Sequence, residues 1–250
     1  MSTAILSALT EEQSSLVDHL AHPQRVMHAG RAFWRGELQG RRVVLALSGI
    51  GKVAAATTAT ALIEHFGVAR IVFTGVAGGV GEGVNVGDVV VAQDYVQHDM
   101  DASPLFPRWE LPGYGRSRLA CDAALTALLL EAASTCVSSA NGPLGLNSQA
   151  AQGPRVHQGL IASGDRFVSN AQESHGLRAA LRAAGHDVLA VEMEGAAVAQ
   201  VCLDYGLPFA AVRTISDRAD DTAHVDFPQF VQTVASRYAE HMVQALLKAL

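Results

Sequence analysis

The sequence predicts an α/β fold, a three-layer sandwich in which a mixed central β-sheet is flanked by helices on both faces. Short apolar runs that suit strands buried on both faces alternate along the chain with longer stretches of helical spacing. In the clearest unit, the apolar run 188–191 leads to a helix of small residues that begins near Gly195. Gly206 and Pro208 end this helix, and a second apolar run follows at 209–215. We expect a single domain over residues 1–250.

The bulk composition excludes several classes of protein. Hydrophobic residues make up 49% of the chain and charged residues 17%, a balance typical of a compact protein rather than a disordered one. The net charge is −6 with no run of lysines or arginines, which argues against a nucleic-acid partner. No apolar run approaches the roughly 20 residues of a membrane span, and the first residues lack the basic segment of a signal peptide. The three cysteines are scattered and form no CxxC motif, which predicts buried thiols in a cytoplasmic protein. We also expect no membrane association.

The remaining elements are predicted from apolar spacing and from capping, glycine and proline signals. Thr10 and Gln13 form a capping-box pattern at the start of the first helix. Residues 134–152 are polar and low in complexity, which predicts a surface insertion. The other predicted elements are strand 4–9, a hairpin within 27–47, helix 54–61, strand 69–74 with a glycine-rich turn at 75–83, a loop and a strand within 85–92, helix 119–133, strand 156–163, helix 177–184 and a last helix from Phe227.

Two motifs are rejected as cofactor or metal sites. The SGIGK segment is not a phosphate-binding loop, because Ala46 stands where the first glycine of GxxxxGK belongs and Val53 replaces the Ser or Thr that binds magnesium. His98, Asp99 and Asp101 could ligate a metal, but no second cluster completes a coordination set, and a polar strand end explains them as well. We therefore expect no metal and no organic cofactor.

Acidic residues follow two of the predicted strands. Glu192 and Glu194 come at the end of one strand, and Ser216 and Asp217 at the end of the next. Ligands of open α/β folds bind at the carboxyl ends of the strands, so Glu194 and Asp217 are candidates for chemistry. Glu12, in contrast, is explained from its residue type alone as a complement to the dipole of the first helix.

Five motifs occur in the order of one known family: LTEE, TGVAGG, SGDRF, VEMEG and TISD. In this the chain resembles the nucleoside phosphorylase/nucleosidase superfamily, and within it the 5′-methylthioadenosine/S-adenosylhomocysteine nucleosidases. The resemblance implies hydrolysis of an N-glycosidic bond in a small-molecule nucleoside, by a cofactor-free homodimer. At the position of Val76 some members of the resembled family carry a serine, so this residue departs from their pattern.

The resemblance also implies a role for individual residues. Glu12 would activate water, and Asp217, oriented by Ser216, would protonate the adenine at N7, which requires that burial raise the aspartate pKa. Ionised Glu194 would accept both ribose hydroxyls, and Arg213 would steady the acidic cluster. The substrate-binding residues implied are Val76, Ala77, Gly78, Phe167, Val168, Glu192, Met193, Glu194, Arg213, Ser216 and Phe227. The residues implied to lie at a second subunit's cavity are Ile50, Phe106 and Pro112.

Three alternative functions stay open at this point. Phosphorylases of the superfamily carry a glycine-proline-arginine loop near the N-terminus, where this chain reads SALTEE. An acidic residue there would repel phosphate, which favours hydrolysis over phosphorolysis. A futalosine-type hydrolase would use the same bond-breaking residues with another 5′ group. A non-catalytic nucleoside-binding module on the same fold is the third alternative, because a fold does not prove an activity.

Overall fold

A computed structural model describes residues 1–138 and 153–250 of the chain. These residues form one mixed sheet of ten strands with helices packed on it. The strands are β1 (Thr3–Ser7), β2 (Ala21–His28), β3 (Arg31–Leu38), β4 (Arg41–Leu47), β5 (Arg70–Gly79), β6 (Val89–Gln97), β7 (Arg118–Ala120), β8 (Val156–Ser163), β9 (Val188–Glu192) and β10 (Phe209–Asp217). The helices are α1 (Thr10–Asp18), α2 (Lys52–Glu64), α3 (Ala123–Ser138), α4 (Ala171–Ala183), α5 (Gly195–Tyr205), α6 (Ala223–Phe230) and α7 (Ser236–Ala249).

Part of the sheet closes on itself. Strand β5 pairs in parallel with β10 on one edge, and on its other edge it pairs first with β1 and then, at Gly78 and Gly79, with β9. Strands β9, β8, β6 and β10 complete a ring with β5, while β4, β3 and β2 extend the sheet beyond β1. The predicted mixed sheet with flanking helices is confirmed. The three-layer arrangement is not confirmed, because the pairing of β10 with both β5 and β6 curls the sheet instead of leaving it open.

The predicted glycine-rich turn after β5 is wrong in its first half. The segment from Gly75 to Gly79 continues the strand, with Ala77 opposite Ile215 of β10. These glycines give room for close approach rather than reversing the chain. A Cβ placed on Gly78 would lie 2.9 Å from the Asp217 carboxylate. Glycines inside a strand commonly mark such a bend or close contact.

Apolar clusters lie on both sides of the sheet. Consecutive residues of β5 face opposite sides, so that Phe73 packs with small residues of α2 and α5 and Val72 packs with α3 and α7. This arrangement buries β5 and β10 on both faces, which explains their continuous apolar sequences. Cys136 and Cys202 are buried and Cys121 is partly buried. Among the described residues, no helix has both the length and the hydropathy of a membrane span.

Several predicted boundaries shift in the structure. The first helix has Leu9, not Thr10, at its N-cap, since Glu12 reaches back to bond the N–H groups of Ala8 and Leu9. The last helix does not begin at Phe227: α6 begins at Ala223, encloses Pro228 and continues through a π-helical turn, Val231–Ala235. The predicted insertion 134–152 falls largely outside the described residues, and its start, 134–138, continues α3.

The start of α5 is packed tightly against β6. A Cβ placed on Gly195 would overlap the ring and hydroxyl of Tyr95. Tyr95 is fully buried, and its hydroxyl has no hydrogen-bond partner in the described part of the chain. The ring therefore occupies the space that any side chain at position 195 would need, and this contact sets how closely α5 approaches the sheet.

We expect Gly195→Ala to lower the free energy of unfolding by about 2 kcal/mol, as overpacking of a core does. The matched control is Gly176→Ala in α4, where no atom lies within 4 Å of the added Cβ. This control should raise stability by up to roughly 1 kcal/mol, because alanine favours helix more than glycine. Urea unfolding of both variants measures the difference, and equal stabilities would contradict the close contact.

Candidate active site

A cavity of about 290 Å³ opens where β5, β9 and β10 end, between these strands and the loops that follow β1 and β8. Its volume is close to the lower end of the roughly 300–1,000 Å³ of small-molecule sites. The structure brings most predicted site residues to this one cavity. Those that line it are Glu12, Val76, Ala77, Gly78, Phe167, Val168, Glu192, Met193, Glu194, Ser216, Asp217 and Phe227.

A buried ion pair joins a residue that lines the cavity to one behind its wall. Arg213 in β10 is 1% exposed, and its Nη2 lies 2.7 Å from Oε2 of Glu192, at the end of β9. The guanidinium also stacks over the ring of Phe73 at 4.1 Å and donates to the Phe73 carbonyl. Burial acts to lower the pKa of Arg213, but Tyr95 and Glu192 outweigh it and raise that pKa. The predicted contact of Arg213 with the acidic cluster is therefore direct, although Arg213 itself does not line the cavity.

Glu192 is held from several directions besides Arg213. Its carboxylate accepts hydrogen bonds from the N–H groups of Glu194 and Gly195, at 3.2 Å and 2.9 Å, where α5 begins. Ser163 at the end of β8 donates its hydroxyl to the same carboxylate. The side chain of Glu192 is thus held in one orientation at the floor of the cavity.

Glu12 approaches the same floor from α1. It is 2% exposed, and its carboxylate accepts hydrogen bonds from the N–H groups of Ala8, Leu9 and Val76 at 2.8, 2.9 and 3.1 Å. Burial raises the pKa of Glu12, while these N–H donors and the charge of Arg213 oppose the rise. A carboxylate with a raised pKa is a better proton acceptor than an ordinary one.

Glu194 lies at the N-terminus of α5 and is 6% exposed. Its Oε1 accepts a hydrogen bond of 2.8 Å from the N–H of Gly51. Burial, followed by the negative charge of Glu192, raises the pKa of Glu194 to about 8. The cation nearest to Glu194, Arg213, is already paired with Glu192, so its charge opposes this rise without cancelling it.

Asp217 ends β10 on the opposite side of the cavity and is 2% exposed. Its Oδ1 accepts the N–H of Ala219, and its Oδ2 lies 2.8 Å from the hydroxyl of Ser216, as predicted for an oriented carboxyl. The glycine at position 78 leaves room for Oδ1 beside β5. Ser216 and Asp217 therefore present one held acidic group to the cavity.

Two aromatic rings form one wall. Phe167 and Phe227 meet edge to face with ring centroids 5.6 Å apart, and both line the cavity. A phenylalanine is expected in the core from its residue type alone. Phe167 is 43% exposed, so it is not a core residue. An exposed ring beside a cavity is available to stack on a flat ligand.

The residues assigned to a second subunit are placed differently from one another. Ile50 lines the cavity of its own chain, because the loop before α2 folds over Glu194 through the Gly51 N–H, so the assignment of Ile50 to a partner is corrected. Phe106 and Pro112 do not line the cavity and lie on the exposed loop after β6.

His98, Asp99 and Asp101 do not come together around a metal, since Asp99 pairs with Lys52 at 2.6 Å. The described residues contain no group of three or more His, Cys, Asp or Glu side chains arranged to hold a metal ion.

The sequence profile described as the Phosphorylase superfamily matches residues 2–249. The chain belongs to this superfamily. Similar solved structures include a 5′-methylthioadenosine/S-adenosylhomocysteine nucleosidase from Neisseria meningitidis in complex with methylthio-immucillin-A. That protein is 35% identical, with 100% of this chain and 99% of that chain covered and a TM-score of 0.87.

Two further structures show how far the superfamily likeness extends. The 5′-methylthioadenosine/S-adenosylhomocysteine nucleosidase of S. pneumoniae, with the transition-state inhibitor MT-ImmA, is 33% identical (100% and 99% covered, TM-score 0.84). Futalosine hydrolase of Helicobacter pylori is 30% identical (100% and 98% covered, TM-score 0.85). The predicted resemblance to the superfamily and to its nucleosidases is confirmed.

Four residues of this phosphorylase-superfamily cavity were not predicted: Ala8, Leu9, Arg166 and Val191. Each of them adjoins a predicted residue or motif in the sequence. Ala8 and Leu9 precede the LTEE glutamates, Arg166 lies inside SGDRF, and Val191 precedes Glu192. Their position next to predicted site residues was the signal that could have identified them, since the residues around a strand end lie at the same edge of the sheet.

The raised pKa of Glu194 predicts how stability depends on pH. The protonated group's contribution to stability is complete below the ordinary carboxyl pKa and is lost as pH rises through about 8. We expect Glu194→Gln, which cannot ionise, to gain up to about 4 kcal/mol relative to the parent between mildly acidic and alkaline pH. Urea unfolding across that range measures the gain, with Glu11→Gln on the exposed side of α1 as the control for loss of a surface carboxyl. A stability difference that stays constant with pH would contradict the raised pKa.

Proposed function

We propose that the protein hydrolyses the N-glycosidic bond of 5′-methylthioadenosine and of S-adenosylhomocysteine, releasing adenine and the 5-thioribose product. One observation carries the proposal: a single cavity presents Glu12, Glu194 and Asp217 from three different elements, next to an exposed aromatic ring. Cleavage of this bond passes through a ribosyl cation. It therefore needs an acid for the departing base, a grip on the ribose and a positioned nucleophile, and the three carboxyl groups supply these functions.

Asp217 is the proposed acid. Its carboxyl is buried at the end of β10, and the Ser216 hydroxyl and the Ala219 N–H fix both of its oxygens. Protonation of adenine at N7 turns the base into a neutral leaving group, so the electrons of the breaking C1′–N9 bond can move into the purine. Phe167 and Phe227 would pack against the purine while the backbone of Val168 bonds its edge.

Glu194 is the proposed grip on the ribose. A carboxylate accepts both hydroxyls of a ribose in two charge-assisted hydrogen bonds. Burial raises its pKa to about 8, and two hydroxyl donors of a ribose would favour the ionised form. Met193 lines the cavity beside it and would lie along the sugar as an apolar surface.

Glu12 is the proposed base for the attacking water. Three N–H groups hold its carboxylate in one orientation at the cavity floor, and burial raises its pKa. The water would lose a proton to Glu12 as its oxygen bonds to C1′. The ion pair of Arg213 with Glu192 would hold the local charge constant during this step.

Water is favoured over phosphate as the nucleophile by the charges around the cavity. Arg166 is the cation among the lining residues, and its Nε is paired with Glu173 at 2.8 Å. Arg213 lies behind the wall and is paired with Glu192. Among the described residues, those that line the cavity include no unpaired cation to attract a phosphate dianion, and Glu12 at the nucleophile's position would repel one.

A second candidate function differs from the first in the 5′ group of the substrate. Leu9, Ile50 and Val76 are apolar lining residues, which suits the thioether of methylthioadenosine. The similarity to futalosine hydrolase is nearly as high as to the nucleosidases, and the two reactions share the same bond cleavage. A futalosine-type hydrolase is therefore the second candidate.

The proposal includes the setting of the enzyme. We infer a single domain that acts in the cytoplasm in the salvage of methionine, without a metal or organic cofactor. We also infer a homodimer in which Phe106 and Pro112 of one subunit reach the other subunit's cavity. Exposed apolar side chains on α2, on α5 and on the loop after β6 support this inference: Val53 is 77% exposed, Leu203 43% and Leu105 84%.

Adenine release from methylthioadenosine tests the reaction. We expect release in phosphate-free buffer, with free methylthioribose as the second product. Release that requires phosphate and yields the sugar 1-phosphate would show a phosphorylase instead. Release from futalosine alone would favour the second candidate, and no release from any of these nucleosides would leave a binding module.

Asp217→Asn and Glu12→Gln test the assigned roles. Each removes a proton donor or acceptor without changing shape, and we expect kcat to fall by roughly 10²–10⁴-fold. The control Glu11→Gln changes the neighbouring, exposed glutamate and should keep the parent kcat. Near-parent activity of Asp217→Asn would exclude this carboxyl as the acid.

A further inference from the structure

Three segments meet beside the cavity, the start of α2, the loop after β6 and the turn after β8, and each carries one charged residue without an assigned role. They contribute Lys52, Asp99 and Asp165, which we name the mouth clamp. Lys52 Nζ lies 2.6 Å from Asp99 Oδ1, and Asp99 Oδ2 accepts the Asp165 N–H at 2.9 Å. Asp165 Oδ1 in turn accepts the Lys52 N–H at 2.7 Å. Each residue bonds the other two, so the three segments form a closed ring of contacts.

The mouth clamp holds the N-terminus of α2 against Glu194. The cap of this helix has no side-chain acceptor of its own, and its first N–H groups bond carboxylates from elsewhere in the fold. The Gly51 N–H donates to Glu194 at 2.8 Å while the next N–H, of Lys52, donates to Asp165. Negative groups are stabilised at such a helix start. Gly51 has φ +94 and leaves only 3.0 Å between its missing Cβ and Asp165, so the loop fits here only with glycine.

The Gly51 N–H is the one donor that reaches the Glu194 carboxylate among the described residues. The position of Glu194 therefore depends on where α2 begins. Lys52 and Asp99 fix that point in a partly shielded setting, with side chains 17% and 30% exposed. Burial alone would raise the pKa of Asp99, but Lys52 and the Asp165 N–H outweigh it and lower that pKa, which keeps the ion pair charged at neutral pH.

The other end of the mouth clamp reaches the aromatic wall. Asp165 directly precedes Arg166, Phe167 and Val168, and all three line the cavity. The Asp165 N–H is bonded to Asp99 and its carboxylate to α2. The segment that carries Phe167 and the loop that carries the Gly51 N–H are therefore tied to each other across the cavity mouth.

We propose that Lys52, Asp99 and Asp165 are positioning residues that set the Glu194 carboxylate for the ribose hydroxyls by fixing the Gly51 N–H. The proposal rests on the proposed nucleosidase function for the role of Glu194. Exposed ion pairs add little to stability, so the effect of the mouth clamp is on the geometry of the site rather than on folding.

Asp99→Asn tests this with a matched control two residues away. The variant keeps the shape of the side chain but loses its charge pair with Lys52. Asp101→Asn removes an equivalent aspartate from the same loop, which bonds the Ser103 N–H and Arg108 instead of the mouth clamp. We expect Asp99→Asn to raise KM for methylthioadenosine about fivefold, with kcat changed much less, and Asp101→Asn to change neither.

The pH profile separates positioning from a general loss of structure. Loosening the Gly51 N–H removes a hydrogen bond that favours ionised Glu194, so the limb of kcat/KM that rises with pH should move upward by roughly half a pH unit in Asp99→Asn. In a Glu194→Gln background, Asp99→Asn should change KM little further. Asp99→Asn with the KM and pH profile of Asp101→Asn would overturn the proposal.

Hydrogen exchange keeps the test independent of turnover. In the parent and both variants, exchange is measured at the Gly51 and Lys52 amides. Faster exchange there in Asp99→Asn, and parent exchange in Asp101→Asn, supports the mouth clamp, whereas equal exchange in all three overturns it. A parent protein that releases no adenine would remove the proposed function, and the exchange result would still decide whether the mouth clamp fixes the loop.

Discussion

The ion pair between Arg213 and Glu192 is the interaction on which the rest of the site depends. Buried charges are costly unless they are paired, and this fold buries Glu12, Glu192, Glu194 and Asp217 around one cavity. Arg213 compensates Glu192 directly. The acids that remain are left to burial and to neutral donors. Burial raises the pKa of Glu12 and of Glu194, and the charge of the single guanidinium opposes that rise in both without cancelling it.

Backbone N–H groups supply much of what side-chain cations do not. Glu12 is bonded to three of them, Asp217 to that of Ala219 and Glu194 to that of Gly51. Such donors orient a carboxylate without adding a full positive charge. A site built this way can hold its acids in place and still leave the pKa of Glu12 and of Glu194 raised by burial. It also depends on glycines such as Gly78, where a side chain would displace the acid.

The sequence predicted the two sheet-edge acids better than the shape of the sheet. Apolar runs bounded by glycine and proline located β8, β9 and β10 closely, and Glu194 and Asp217 follow or end β9 and β10 as expected. The two acids meet for another reason than parallel pairing: β5, which is parallel to β10, pairs antiparallel with β9 through the last residues of both strands. The closure of the ring was not predictable from these local signals, because it depends on β5 exchanging neighbours between β1 and β9 along its length. Glu12 and Phe167 likewise gained a role only from the family resemblance, since a helix-start glutamate and a lone aromatic residue have commoner explanations.

The ring formed by β5, β10, β6, β8 and β9 leaves the sheet with an outer margin at β2. This strand is mostly exposed, and it carries Pro23, Arg25 and a residue of positive φ, His22. Proline cannot donate to a neighbouring strand, and charge and irregular backbone discourage pairing in register. The edge strand β2 is therefore poorly suited to pairing with a strand of another chain. A molecule that exposes an eight-residue edge is protected in this way against aggregation through continuous β-sheet.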